Sequence, residues 1–143
     1  MLGAIVGDIV GSTRELNNVK TEDFELLPEG SRFTDDTVMT LAVAKWLMED
    51  PKHEADSLVR IMQDIGRRYP HAGYGNLFSK WLNSDNPQPY DSYGNGSAMR
   101  SIIVAIYELD AEEIMVVAHS HCGACHMSFD HFCHVMKGGM IYE

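Results

Sequence analysis

Two adjacent carboxylates between two hydroxyls are the part of this chain best suited to chemistry. They lie in Arg32-Phe33-Thr34-Asp35-Asp36-Thr37-Val38-Met39-Thr40. Thr34 has the chemistry of a helix N-cap, which puts Asp35, Asp36 and Thr37 in the first turn. The free N–H groups and the positive end of the helix dipole favour negative charge there. Neighbouring helical residues point about 100° apart, so the carboxylates diverge rather than overlap. Hard oxygen donors of this kind suit Mg²⁺, Mn²⁺ or Ca²⁺ rather than zinc. The same residues also fit a plain acidic helix start. The next residues along the chain weigh against that plainer reading, because Val38, Met39, Leu41, Ala42, Val43, Ala44, Trp46, Leu47 and Met48 leave almost no polar face. The pattern predicts a helix buried on most sides, with Ala42, Val43 and Trp46 in the core and the carboxylates at its mouth. Carboxylates beside a core need partners, and a cation relieves two like charges.

The elements that must position this pair read as helices, so the fold class is all-α. Gly3, Gly7 and Gly11 recur every four residues within Gly-Ala-Ile-Val-Gly-Asp-Ile-Val-Gly-Ser and line one helix face, a spacing that lets another backbone approach closely. Ile and Val would also suit a strand. The Gly-x-Gly-x-x-Gly of a dinucleotide-binding turn is absent. A tightly packed helix is the expectation, with Asp8 and Glu15 as its notable acids. Residues 17–30 are polar and turn-rich and read as a loop. Leu58, Ile61, Met62, Ile65 and Tyr69 recur at helical spacing over 54–69, and Pro70 ends that amphipathic helix. Leu77, Phe78, Trp81 and Leu82 mark one more short helix, whose aromatic rings suit a core.

A second turn-rich loop over 83–95 runs into Tyr93-Gly94-Asn95-Gly96-Ser97-Ala98-Met99-Arg100. Asn95 and Gly96 suit a tight turn, and Ser97 can cap a following helix through Ile106. A glycine-rich turn opening a helix offers N–H groups to phosphate. Asp110-Ala-Glu-Glu113 resembles a capping box for a short helix to Ala118. Beyond it the composition changes. Five of the seven histidines and all three cysteines fall between His119 and His134. His119, His121, Cys122, Cys125, His126, His131, Cys133 and His134 are zinc-type ligands without a common finger spacing. The expected organisation is a helical domain over 1–118 and a divergent His/Cys-rich tail over 119–143, the tail being the least well packed part.

The 143 residues suffice for one domain, and the net charge of −10 argues against a nucleic-acid backbone or an anionic membrane as partner. A small phosphorylated ligand stays open, since helix N-termini and a metal can hold one. The apolar start is interrupted by Asp8, has no basic residue before it and is too short to span a bilayer. An odd number of cysteines suits a reduced, cytoplasmic protein.

Three motifs in this order resemble the ADP-ribosylglycohydrolase family: Gly3-Ala-Ile-Val-Gly-Asp-Ile-Val-Gly-Ser12 with Glu15, Phe33-Thr-Asp-Asp-Thr-Val-Met-Thr40, and Ser92-Tyr-Gly-Asn-Gly-Ser-Ala-Met-Arg100. Tyr69-Pro-His-Ala-Gly-Tyr-Gly75 also fits family usage. The resemblance implies an all-α fold, a binuclear Mg²⁺ or Mn²⁺ centre and cleavage of the bond between ADP-ribose and a protein side chain or small acceptor. By position, Thr34, Asp35 and Asp36 resemble the first half of the metal site, and Asp35 and Asp36 carry catalysis with Glu15, the acid near the scissile bond. Tyr93, Gly94, Asn95, Gly96, Ser97 and Met99 resemble the loop that holds ribose and diphosphate. Family chains run well beyond this length, and their late Asp-x-Asp-Thr motif has no counterpart here. Asp8, Asp91, Asp110 and Asp130 are the internal substitutes. The expectation is therefore a truncated domain: a glycohydrolase whose site is completed by other residues, a second copy or a partner chain, or else a catalytically inactive module that binds ADP-ribose or a protein.

Overall fold

The computed structural model describes residues 2–15, 21, 23–91 and 96. Among these residues the regular structure is four helices and no strand: α1 (Leu2–Gly11), α2 (Asp35–Glu49), α3 (Ala55–Arg68) and α4 (Asn76–Leu82). The all-α expectation holds. The helices expected at 110–118 and after Ser97, and the tail beyond 118, lie outside the described residues.

α2 is the axis. Val38, Met39, Ala42, Val43 and Leu47 are at most 3% exposed, and Trp46 and Ala44 are buried beside them. Apolar burial of this kind holds the helix more than propensity does, since Val and Thr are middling helix formers. The helix is buried on most sides, as expected, and Leu41 and Met48, exposed at 42% and 76%, mark the strip left open among the described residues. The run is apolar on every face, and apolarity alone does not say which face has a partner.

α3 lays its apolar stripe along α2. Leu58, Ile61 and Ile65 pack against the buried Val38, Met39, Ala42 and Met62. Gly66 makes the closest approach: a β-carbon there would sit 2.7 Å from Leu82 Cδ2 and 3.2 Å from Met39 Cε. Only glycine leaves room for both side chains. α4 is short and is held mainly by α3. Gln63 Nε2 donates to the carbonyls of Trp81 and Ser84 at 3.0 and 2.9 Å, and Arg67 Nε donates to that of Leu82 at 2.6 Å. These donors satisfy carbonyls at and beyond the C-terminus of a helix too short to do so itself. The Phe78 and Trp81 rings stack 5.5 Å apart.

α1 departs most from expectation. It is a helix, as the spacing predicts, but none of its residues is buried. No atom of the described residues, beyond the helix's own backbone and chain neighbours, comes within 4 Å of a β-carbon built at Gly3, Gly7 or Gly11. α1 meets α2 instead through Asp8, a polar tie rather than the close glycine-face packing expected.

Candidate active site

The site forms where the C-terminal half of α1 meets the N-terminus of α2. The connecting chain returns along α1 over residues 31–34. Ser12 Oγ donates to the Ile9 carbonyl at 2.8 Å and accepts the Arg32 N–H at 3.1 Å. Arg14 donates to the Val10 carbonyl at 2.6 Å and to the Glu25 carbonyl, with its guanidinium 4.4 Å from the Phe24 ring centre. These bonds fix where Thr34 begins α2.

Thr34 is the N-cap, with extended backbone, and its Oγ1 accepts the Asp36 N–H at 3.3 Å. Asp8 supplies the rest of the cap from another helix. Its Oδ2 accepts the N–H groups of Thr34 and Thr37 at 2.7 and 3.2 Å. Its two carboxylate oxygens also take the hydroxyls of Thr34 at 2.6 Å and Thr37 at 2.5 Å. In a capping box the acid comes from the helix's own first turn. Here that position is Thr37, whose hydroxyl donates to Asp8, and Asp8 accepts the Thr34 N–H in its place. Asp8 is thus engaged as an acceptor for the cap, rather than standing as the substitute ligand its sequence suggested.

Asp35 and Asp36 occupy the first turn of α2, as predicted. Asp35 Oδ1 lies 3.7 Å from where a β-carbon on Gly73 would stand, and Gly73 has φ +103°, so a side chain there would be strained. The turn after α3 therefore passes close beside the Asp35 carboxylate. Glu15 is drawn to the same place. Burial raises its carboxyl above the ordinary glutamate value, and the negative charges of Asp36 and Asp8 raise it further. Phe33 and Tyr69, both about half exposed, meet edge to face at 5.7 Å.

The structure thus gathers Glu15, Thr34, Asp35 and Asp36 with Asp8, which the sequence offered as a substitute ligand, and adds Thr37 and Gly73, which the sequence did not assign to the site. A hydroxyl three residues after a threonine cap was the available signal for Thr37. Of the ribose- and diphosphate-holding loop only Gly96 is among the described residues; Tyr93, Gly94, Asn95, Ser97 and Met99 lie outside them. Among the described residues no three His, Cys, Asp or Glu side chains form a group able to hold a metal ion. What is present is two carboxylates and a threonine hydroxyl on one turn, with a third carboxyl that feels their charge. Hard oxygen donors in a field of negative charge fit Mg²⁺ or Mn²⁺ as a partial ligand set. No helix of the described residues is long and apolar enough to cross a membrane.

The described residues thus form an all-α arrangement with an acid-rich helix start. The ADP-ribosylglycohydrolase family model matches residues 1–134, and the chain belongs to that family. ADP-ribosylhydrolase ARH3 of Mus musculus is 27% identical over 159 aligned positions, covering 90% of this chain and 43% of its own length. ADP-ribosylhydrolase ARH3 of Xenopus tropicalis is 26% identical over 131, covering 74% of this chain and 37% of its own length. A shorter likeness is to a Bacillus subtilis (strain 168) protein named "Putative carbonic anhydrase YvdA", 62% identical over 32 residues, 22% of this chain and 16% of that one. The chain spans less than half the length of each of these relatives. No solved structure matches it.

Proposed function

We propose that the chain carries the first half of a glycohydrolase centre that cleaves the bond between ADP-ribose and a protein side chain or small acceptor. The observation that carries this reading is the acid-rich first turn of α2, Asp35 and Asp36, with the Glu15 carboxyl held up by burial and by the charge of Asp36. Thr34, Asp35 and Asp36 would hold Mg²⁺ or Mn²⁺. Such an ion polarises substrate oxygens and lowers the pKa of bound water. Glu15 does the proton work. A carboxyl held above its ordinary value holds a transferred proton better than a free glutamate does. Water oxygen bonds to the ribose anomeric carbon as the bond to the acceptor breaks. The proton lost by water passes to Glu15, which gives it to the departing acceptor, so the carboxylate is regenerated. Charge on the anomeric carbon in the transition state is oxocarbenium-like, by analogy with other glycoside cleavage.

The test is thermal unfolding of the full chain with millimolar Mg²⁺ or Mn²⁺, alongside release of ADP-ribose from an ADP-ribosylated peptide. A bound ion stabilises by mass action, about 2.7 kcal/mol at a hundredfold excess over its dissociation constant. Half a ligand set binds weakly, so a small rise in melting temperature is expected. Asp35→Asn combined with Asp36→Asn abolishes the rise. Metal-dependent release lost in Glu15→Gln supports the enzyme. A metal response without release supports the inactive binding module. No metal response in wild type reduces Thr34–Thr37 to a capped helix start.

A second reading attaches to the short likeness to the Bacillus protein, whose identity is more than twice that of the ARH3 relatives. The His/Cys-rich stretch over 119–134 holds zinc-type ligands, and zinc on such ligands makes bound water acidic near neutral pH. Zinc that copurifies with the chain and is lost in His119→Ala with Cys122→Ser supports it. A metal-free preparation that takes up no added zinc removes it.

A further inference from the structure

We propose that Asp8 is a positioning residue that takes the protons of the two threonine hydroxyls at the start of α2, so that Thr34 faces the site as an acceptor only. The proposal rests on the reading of that turn as a cation site. An ionised carboxylate can only accept hydrogen bonds, and a threonine hydroxyl has one proton to give. Thr34 gives its proton to Asp8 Oδ1 at 2.6 Å, and Thr37 gives its proton to Asp8 Oδ2 at 2.5 Å. Both distances are short, as expected for a hydroxyl bound to a charged acceptor. With its proton committed to Asp8, Thr34 Oγ1 meets other groups only through lone pairs. One of these takes the Asp36 N–H at 3.3 Å. The other can serve only a cation or a donor.

The backbone repeats this logic. Asp8 Oδ2 also draws the N–H groups of Thr34 and Thr37 at 2.7 and 3.2 Å. The proton donors around the cap therefore converge on one carboxylate of another helix. What the turn presents elsewhere is the oxygens of Thr34, Asp35 and Asp36. Without Asp8, a freely rotating Thr34 hydroxyl could point its proton toward the place a cation would occupy. Asp8 makes that orientation costly, and so prepares a threonine to act beside two carboxylates.

Asp8→Asn keeps the shape and changes this logic. The amide brings two N–H donors and one acceptor, so one threonine meets a donor and must turn its proton away. Mg²⁺ and Mn²⁺ affinity, measured by calorimetry on the full chain, should fall roughly 10- to 100-fold, the usual cost of disturbing a ligand's supporting hydrogen bond. The loss should persist at high salt, whereas a loss due only to the missing charge shrinks as salt screens it. An unchanged affinity, or a loss that high salt erases, overturns the proposal. A second measurement uses the wild-type chain without metal, so it stands even where Asp8→Asn does not fold. The Thr34 and Thr37 hydroxyl protons should exchange slowly and resonate downfield in proton NMR. Fast-exchanging hydroxyls at both positions overturn the proposal. A wild type that takes up no divalent ion defeats the cation reading itself, and the NMR result then judges the hydroxyl polarity on its own.

Discussion

Gly66→Ala puts two opposing energies on the same atom. Alanine is favoured over glycine within a helix by about 0.8–1.0 kcal/mol, so an open site would gain stability. Residue 66 is not open. Its added methyl would lie 2.7 and 3.0 Å from the two terminal carbons of Leu82 and 3.2 Å from Met39 Cε. Met39 is a flexible thioether and can give a few tenths of an ångström. Leu82 has less freedom, because both its methyls are too close and it is only 2% exposed. It is also the one buried residue of α4, so moving it moves the short helix. Overpacking of this kind costs about 1–3 kcal/mol. Taking about 2 against a gain of about 1 leaves a net loss near 1 kcal/mol, a drop of about 3 °C in melting temperature for a chain of this size. Urea and thermal unfolding of the full chain would measure it. Leu82→Ala supplies the control, because it empties the space the methyl needs. In that background Gly66→Ala should turn neutral or stabilising by up to about 1 kcal/mol, as helix propensity acts alone. A variant as stable as wild type, or a loss that is the same with and without Leu82, would refute the reasoning.

Glu15→Gln should raise the melting temperature at neutral pH. The folded carboxyl is held above its ordinary 4.5, by burial first and then by Asp36 and Asp8, so ionised Glu15 favours the unfolded chain. Its stabilising contribution is complete below the unfolded value and is lost as pH rises through the folded one; the gain from glutamine should therefore vanish in acid, and a gain that persists below pH 4.5 would count against this cause. Gly73→Ala should destabilise by about 1–3 kcal/mol through its φ of +103°. Because the new methyl would meet Asp35 Oδ1 at an ordinary 3.7 Å, any melting-temperature rise with Mg²⁺ should survive the substitution.

What could be read without coordinates was local. Thr34 before two acids and an apolar run gave the start of α2, because a cap, a dipole and a buried face all act within a few residues. The stripe of Leu58, Ile61, Met62 and Ile65 gave α3 for the same reason, and Pro70 marked the end of its run. One expectation failed where a partner had to be named. The glycines of α1 have a spacing that permits close approach, yet permission is not contact, and no described residue fills that face. Leu41 and Met48 are as apolar as Leu47, and only the packing of α3 against α2 shows which of the three is covered.

The role of Asp8 was the least legible. An acid inside an apolar helix start reads as a solvated or capping residue, and its hydrogen bonds to Thr34 and Thr37 span 26 and 29 positions of the chain. No window of sequence short enough to show helical period contains both ends. Yet this tie supplies the acceptor that the helix's own third position, Thr37, does not. In an ordinary cap the helix spends its own first-turn acid on its own N–H groups. By drawing that acceptor from α1, the fold meets the needs of the cap with a carboxylate behind the turn. The chemistry of the site and the stability of its helix are thereby assigned to different residues. A change at Asp35 or Asp36 should then alter what the site holds while leaving α2 capped, and a change at Asp8 should disturb both.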